Sequence, residues 1–270
     1  VTASIRYDKA QNFEGNFSPR VSFAYAAGEN KNQNFRASFQ TGFRNPTTQD
    51  QYIGLDVGSA ILVGGVEENQ DRYSTTFQDA SGVSYTLTGR DAYENSYTLA
   101  SGGTVKADVD FVKPEKVTAY EIGYRGLLEA GKQRITVDLS VYYNQYEDFI
   151  ANKNVIVPYN TTGGFKVFQL YTNSAADINS YGATIGLNTK VLNGFSLGLN
   201  YTLAQFDFDQ ASDPDFEAGF NTPEHKVKLQ FGKTDLFKNF GFNINARWQD
   251  EYRWESTFVD GTIDRYRRTN

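Results

Sequence analysis

The sequence has no cysteine, no methionine, a single histidine and no excess of basic residues. Without cysteine there are no disulfides, no thiolate metal centre and no cysteine nucleophile. One histidine, His225, cannot build a multi-histidine metal site. Lys and Arg number 26 against 32 Asp and Glu, a net charge of −6. That balance lacks the basic footprint of a nucleic-acid binder, so nucleic acid is not an expected partner. No segment reaches the roughly 18 consecutive apolar residues that a membrane-spanning helix needs. No glycine-rich loop leads from a strand into a helix, which leaves nucleotide binding without support. A chain lacking methionine even at its first position is expected to be a processed product or a fragment.

What is present is aromatic and alternating. Aromatic residues make up 15% of the 270 positions. From Phe195 the odd positions read Phe195, Leu197, Leu199, Tyr201 and Leu203, and the even ones Ser196, Gly198, Asn200, Thr202 and Ala204. Period two with one apolar face marks a strand. The pattern recurs in Val21, Phe23 and Tyr25, in Tyr120, Ile122 and Tyr124, in Ile135 through Tyr143, and in Phe242 through Trp248. About ten strands are expected, near 2–9, 18–27, 34–44, 116–128, 134–150, 166–191, 195–208, 224–233, 240–257 and from 265. A tilted membrane strand needs ~9–11 residues, which suits these lengths. A negative mean hydropathy of −0.54 does not exclude such a barrel, because it shows apolar side chains at every second position only.

The connections alternate as well. Short polar turns are expected near 28–33, 129–133, 192–194 and 234–239. At the other end the connections are long, at 45–115, 151–165 and 209–223. Tight turns at one end and elaborated loops at the other are characteristic of outer-membrane barrels. Aromatics gather near strand ends, as Tyr142, Tyr143, Tyr146 and Phe149, and as Trp248, Tyr252, Trp254 and Phe258. Such rings suit a girdle at headgroup level, or simply the enrichment of aromatics in strands.

Three segments carry a family resemblance. Gly42-Phe43-Arg44-Asn45-Pro46 resembles the "GFR-x-P" segment of TonB-dependent outer-membrane receptors, where a strand enters a long extracellular loop. Lys113-Pro114-Glu115-Lys116 with Tyr120-Glu121-Ile122-Gly123-Tyr124 resembles their "PE…YE-x-G" descending strand. Thr222-Pro223-Glu224-His225-Lys226 resembles their "P-x-H" strand start, and Asn173 with Ser180-Tyr181-Gly182 is a fainter match. Together these span roughly residues 18–233. The resemblance implies an all-β fold, an antiparallel transmembrane β-barrel of 22 strands with a plug in its lumen. The chain holds about ten strands and no plug-like segment, so residues 1–270 are expected to be a partial barrel from the C-terminal half of a longer receptor. Loops at 45–115, 151–165 and 209–223 would then be extracellular. The implied location is the outer membrane of a Gram-negative bacterium, with lipid around the barrel and TonB acting through the plug. In glycan- and peptide-importing members a surface lipoprotein covers the loops, which adds a lid to the partners the resemblance suggests.

Two constellations stand out. The segment 45–115 holds 11 acids and 4 bases, a net of −7, so the remaining residues sum to +1. It also carries Tyr52, Tyr73, Phe77, Tyr85, Tyr93, Tyr97 and Phe111. These aromatics either grip a solute or pack a small sheet of the loop's own. A field of this sign repels an anionic ferric siderophore and suits a neutral glycan, a peptide or a cation-bearing ligand. Asp207, Asp209, Asp213, Asp215 and Glu217 offer hard oxygen ligands of the kind Ca²⁺ takes, without the register or glycine of an EF-hand; a structural Ca²⁺ is the one cofactor considered. His225 has only Glu224 beside it, and adjacent strand residues face opposite ways, so an omptin-like protease finds no catalytic pair and no enzyme activity is expected.

The reading is the barrel portion of an energy-coupled importer of a scarce solute: a glycan, a peptide or a metal chelate. A passive porin or other outer-membrane barrel and a soluble all-β carbohydrate-binding module are the alternatives. If the membrane reading holds, the full-length protein requires detergent for extraction and its gel mobility shifts on heating. Extraction in plain buffer with no such shift would refute it.

Overall fold

The computed structural model describes residues 1–100, 103–131, 133–191, 194–209, 211–213, 220–254 and 264–266. The chain begins with β1 (Thr2–Asp8), β2 (Asn16–Ala27) and β3 (Gln33–Arg44). It then forms α1 (Thr48–Tyr52), β4 (Gly54–Asp56), β5 (Ile61–Val63), α2 (Asn69–Arg72), β6 (Ser74–Gln78), β7 (Ser84–Thr88), α3 (Gly89–Glu94), β8 (Tyr97–Ala100) and β9 (Gly103–Lys106). Next come the long strands β10 (Glu115–Ala130) and β11 (Gln133–Glu147), and the hairpin β12 (Ile150–Pro158) and β13 (Phe165–Asn173). The chain continues as β14 (Ile178–Val191), β15 (Phe195–Phe208), β16 (His225–Phe237) and β17 (Phe240–Gln249), then β18 (Tyr252–Trp254) and β19 (Asp264–Tyr266).

Nine of these strands form one antiparallel wall in the order β1-β2-β3-β10-β11-β14-β15-β16-β17. Its register explains the alternation. Phe23, Ala37, Ile122, Val141, Ala183 and Leu203 lie in one continuous row from β2 to β15. A neighbouring row runs Tyr25, Phe35, Tyr124, Leu139, Ile185, Tyr201, Val227 and Trp248. Side chains alternate sides along a strand, so the other face carries Arg36, Glu121, Ser140, Thr184, Thr202 and Lys226. The apolar face is bare: Ile122 is 69% exposed, Val141 59% and Ile244 60%. An apolar belt of this extent, on a sheet whose central strands are laddered on both sides over most of their length, matches hydrocarbon rather than water as its solvent.

Short connections join β2 to β3, β10 to β11, β14 to β15 and β16 to β17, all at one end of the wall. Three of them use a glycine in the left-handed region, Gly28 at φ 86°, Gly131 at 63° and Gly194 at 95°, where a side chain would be strained. The fourth places Lys238 there, at 48°.

The structure corrects the expected strand list in three places. The single strand over 166–191 is two strands in different sheets, because Asn173 ends the first and the chain turns before Ile178. The stretch 151–165 is not open loop, since most of it belongs to the β12–β13 hairpin. Its strand signal was masked by Asn152-Lys153-Asn154 ahead of the buried Val155 and Val157. The strand over 240–257 ends at Gln249, and the last two short strands pair with each other.

The aromatic girdle is also redrawn. Of Tyr142, Tyr143, Tyr146 and Phe149, Tyr143 stands on the apolar face, with its hydroxyl donating to Asn179 Oδ1 at 2.9 Å. Tyr142 faces the other side beside Glu121 and Gly182. Tyr146 and Phe149 pack instead with Ile178 and Phe220. Trp248 is exposed on the apolar face; Phe258 lies outside the described residues.

If lipid covers the belt, Val141→Arg in the full-length protein costs about 2–4 kcal/mol of folding stability in vesicles. Thr184→Arg, on the opposite face, changes it by about 0.5 kcal/mol or less. Urea titration of the folded barrel reads both.

Candidate functional site

Almost all of the dry core lies outside the wall. Residues 45–114 and the β12–β13 hairpin combine into a six-stranded sheet in the order β4-β5-β13-β12-β8-β9. Strands β5 and β13 pair in parallel, Ile61 with Phe168 and Val63 with Leu170. Ile61, Val63, Leu87, Ala92, Tyr93, Val155, Val157, Phe168 and Leu170 are buried together. This is a packed cap standing on the long-connection end of the wall. Capping boxes start two of its three short helices, Thr47 with Asp50 and Thr88 with Asp91; each N-cap contributes roughly 1 kcal/mol.

The cap is tied to the wall at a narrow neck. Arg44 and Glu115 are register partners at the ends of β3 and β10. The Arg44 guanidinium meets Glu115 Oε2 at 2.7 Å, and the amide of Ile150 donates to the same oxygen at 3.2 Å. One carboxylate, largely buried, thus holds three chain crossings. Asn173 holds the others: its Oδ1 accepts from the Lys113 amide at 2.7 Å, and its Nδ2 donates to the carbonyls of Lys113 and Asp148. Arg44, Glu115 and Asn173 all come from segments that carry the family resemblance, so the neck supplies a physical reason for those residues.

The seven aromatics take different places. Tyr93 is buried, its hydroxyl donating to the carbonyl of Gly64 at 3.2 Å, and burial pushes its pKa far up. Phe111 lies 5.1 Å from the Tyr93 ring, and Tyr73 and Phe77 pack against the same core. Tyr97 begins β8, opposite Ile156. The Tyr52 hydroxyl accepts from Asn12 Nδ2 at 2.7 Å. Phe77 and Tyr85 form a half-exposed cluster with Tyr159, which lies 5.0 Å from Phe77 and 4.8 Å from Tyr85. Lys166 Nζ sits 4.6 Å above the Phe77 ring. Tyr159 and Lys166 escaped sequence reading because they lie in a different connection, brought close only by the hairpin.

The acids of 45–115 have local work. Arg90 pairs with Asp71 and Glu94. Asp79 accepts from Ser81 and from the Val83 amide, and these bonds hold its pKa below the ordinary carboxylate value. For Asp91, desolvation acts upward, but hydrogen bonds from Thr88 and Asn95 outweigh it and keep the carboxyl below its ordinary value.

The acidic run at 207–217 disperses in part. Asp207 pairs with Asn179 in the wall ladder. Asp209 accepts from the Ala211 amide. Asp213 is buried, accepts from Ser174 Oγ at 2.9 Å and lies 3.6 Å from Lys153 Nζ. Asp215 and Glu217 fall outside the described residues. Among the described residues, no three acids or histidines gather in a way that could hold a metal. His225 shares the apolar face with Leu203, and its Nδ1 lies 2.8 Å from the Tyr201 hydroxyl.

Glu115→Ala leaves Arg44 and the Ile150 amide without their shared acceptor. Discounting for the half-exposed arginine, the expected loss is about 2–3 kcal/mol in the cap. Limited proteolysis should then cut within 45–114 or 150–173 while the wall stays intact. A carboxyl depressed in the folded state contributes stability above its ordinary pKa and loses it as pH falls through the folded value. Hydrogen exchange of α3 should therefore accelerate below pH 3.8, the ordinary value for Asp91, and Asp91→Asn should flatten that dependence.

No curated protein is similar enough in sequence to add to this picture. Among solved structures, the siderophore receptor PirA from Acinetobacter baumannii is similar at TM-score 0.52 and 13% identity. That match covers 89% of this chain and 29% of the receptor. The Serratia marcescens hemophore receptor HasR, solved as a double mutant with its hemophore HasA and heme, is similar at TM-score 0.53 and 14% identity. It covers 87% of this chain and 32% of HasR. The chain thus spans about a third of each receptor, and at these identities the likeness is one of fold. The family model for the TonB-dependent receptor-like β-barrel matches residues 1–270; with an open antiparallel wall, segregated turns and a capped end, this chain belongs to that outer-membrane barrel family.

Proposed function

We propose that the chain supplies part of the barrel wall and the solute-capturing cap of an energy-coupled outer-membrane importer. The observation that carries this reading is the packed cap at one end of a wall with a bare apolar face and a polar one. A passive pore has no need of a folded domain held over its wall by a three-way carboxylate clamp. The cap would face outward, in the outer membrane of a Gram-negative bacterium, with lipid on the apolar belt. A lumen-filling domain supplied by the rest of the receptor would couple solute movement to TonB.

The cap's half-exposed Phe77, Tyr85 and Tyr159 form the surface best suited to stacking on a solute, with Lys166 beside them. The excess of acids in residues 45–115 favours a solute that is neutral or presents a cation there. Glycans, peptides and metal chelates of that charge fit. The siderophore that PirA receives and the heme in the HasR complex belong to the chelate class. The chain's role is recognition and passage, with no covalent step.

If this is right, uptake through the full-length receptor in cells stops when TonB is removed. Phe77→Ala with Tyr159→Ala weakens solute binding by about tenfold, the scale of one or two lost stacking contacts, without unfolding the wall. Uptake that continues at full rate without TonB would leave the passive-pore reading in its place.

A further inference from the structure

The apolar face of the wall changes character row by row toward the cap. Next to the aliphatic row through Ile122 and Val141 stand Phe39, Tyr120, Tyr143 and Tyr181, register partners on four neighbouring strands. Their rings form a band, with 5.3 Å between the centres of Phe39 and Tyr120 and 6.5 Å between those of Tyr120 and Tyr143. The following row is wholly polar: Thr41, Thr118, Gln145, Asn179 and Asp207. The Tyr143 hydroxyl donates to Asn179 Oδ1, from the ring band into the polar row. Rings with an apolar body and a polar tip settle at the level of lipid headgroups. On the cap side the hydrocarbon therefore ends along the tyrosines, and the polar row stands among headgroups.

A pocket of about 250 Å³ lies at that level on β2, β3, β10 and β11. Thr41, Thr118, Gln145, Lys116 and Glu147 line it, and Phe17 and Phe43 supply apolar walls. Alternation puts each of these side chains on the face that carries Tyr120, so the pocket belongs to the lipid side of the wall. Lys116 is the register partner of both Phe43 and Glu147. Among the described residues, none of the five polar side chains has a hydrogen bond or ion pair within the chain. Acids of the opposite face are committed: Glu121 and Asp138 share Arg36, and Glu129 meets Arg134. The neck holds the pocket in shape, because the clamped Glu115 immediately precedes Lys116.

We infer that this pocket is a headgroup site for a sugar-headed lipid that bears phosphate. Two hydroxyls and a carboxamide, each able to donate and accept, match the hydroxyls of a saccharide. The aromatic walls suit the apolar faces of a sugar ring, and Lys116 offers phosphate a charge-assisted hydrogen bond. Glu147 beside it disfavours a bare anion and favours a head that also brings donors. A phosphoethanolamine head has a phosphate and an ammonium but no hydroxyls for Thr41, Thr118 and Gln145. The inference rests on the outward-facing cap of the reading above, and adds to it one lipid held at a fixed place.

The test uses the full-length receptor in an amine-oxide detergent, which carries no sugar. Diphosphorylated lipid A is the probe, phosphatidylethanolamine the comparison, and native mass spectrometry counts the lipid bound. The wild type is expected to keep lipid A under conditions that strip phosphatidylethanolamine. Lys116→Gln with Thr118→Val should bind lipid A about tenfold or more weakly, while Lys116→Arg retains it. Removing the phosphates from lipid A should weaken its binding to the wild type but not to Lys116→Gln, which reads the phosphate contact alone. A heat-dependent gel shift shows that each variant has folded; if the double variant has not, the single variant with the two probes decides. Equal retention of both lipids by the wild type overturns the proposal. So does equal lipid A affinity in wild type and variant, or an equal loss in Lys228→Gln on the opposite face. Transport is not measured, so failure here leaves TonB-dependent uptake standing, and the reverse holds too.

Discussion

The constraint on which everything else depends is the register of the wall, continuous but for one shift between Lys233 and Phe237. In hydrocarbon no backbone group can be left to water, so a strand there needs a neighbour on each side. Once pairing is complete, a slip of one residue would turn an entire apolar row inward. The rows that pass through Val141 and Leu139 show that this does not happen over eight of the nine strands. The wall has little dry interior of its own: among its described residues the buried aliphatics are Val137 and, at the start of β14, Ile178. Lipid is its core.

The cap lives under the opposite rule. It stands in water and must bury its own apolar residues, so its side chains converge on Tyr93 and Phe168 as in any small soluble domain. The two regimes meet at the neck. There, Glu115 and Asn173 do with side-chain atoms what the ladder does elsewhere with backbone. They join segments that are near in space and far apart in sequence. The polar face adds a third environment, in which Arg36 bridges Glu121 and Asp138 across the strands between them. Gly123 leaves room for that bridge, because a Cβ there would collide with the guanidinium.

The wall was largely legible in the sequence because its physics is local. Alternation such as Phe195 to Leu203 needs no knowledge of partners, and left-handed glycines announce the tight turns. The cap was not legible, for the opposite reason. Its strands are three to nine residues long and its pairs are non-local, so Ile61-Leu62-Val63 resembles an ordinary apolar triplet in a loop. The same limit applied to its aromatics: the residues around 73–97 were found, but Tyr159 was not, since only the hairpin brings it beside Tyr85. In the sequence the acidic run reads as a chain of possible ligands. Only the fold shows Asp213 answering Ser174 and Lys153.

The parallel pairing of β5 with β13 has a consequence for how the cap comes into being. Ile61 must wait for Phe168, about a hundred residues further along the chain, and the strands between them include two long members of the wall. Closing so distant a contact is entropically slow. The first half of the cap therefore remains without its central partner until β10 and β11 have been laid down and the hairpin has followed. The second connection cannot be exchanged for that of another barrel without removing the strand on which the first connection folds. The two act as one inherited unit, and diversity in such a cap has to arise on its flanks, not by shuffling one loop at a time.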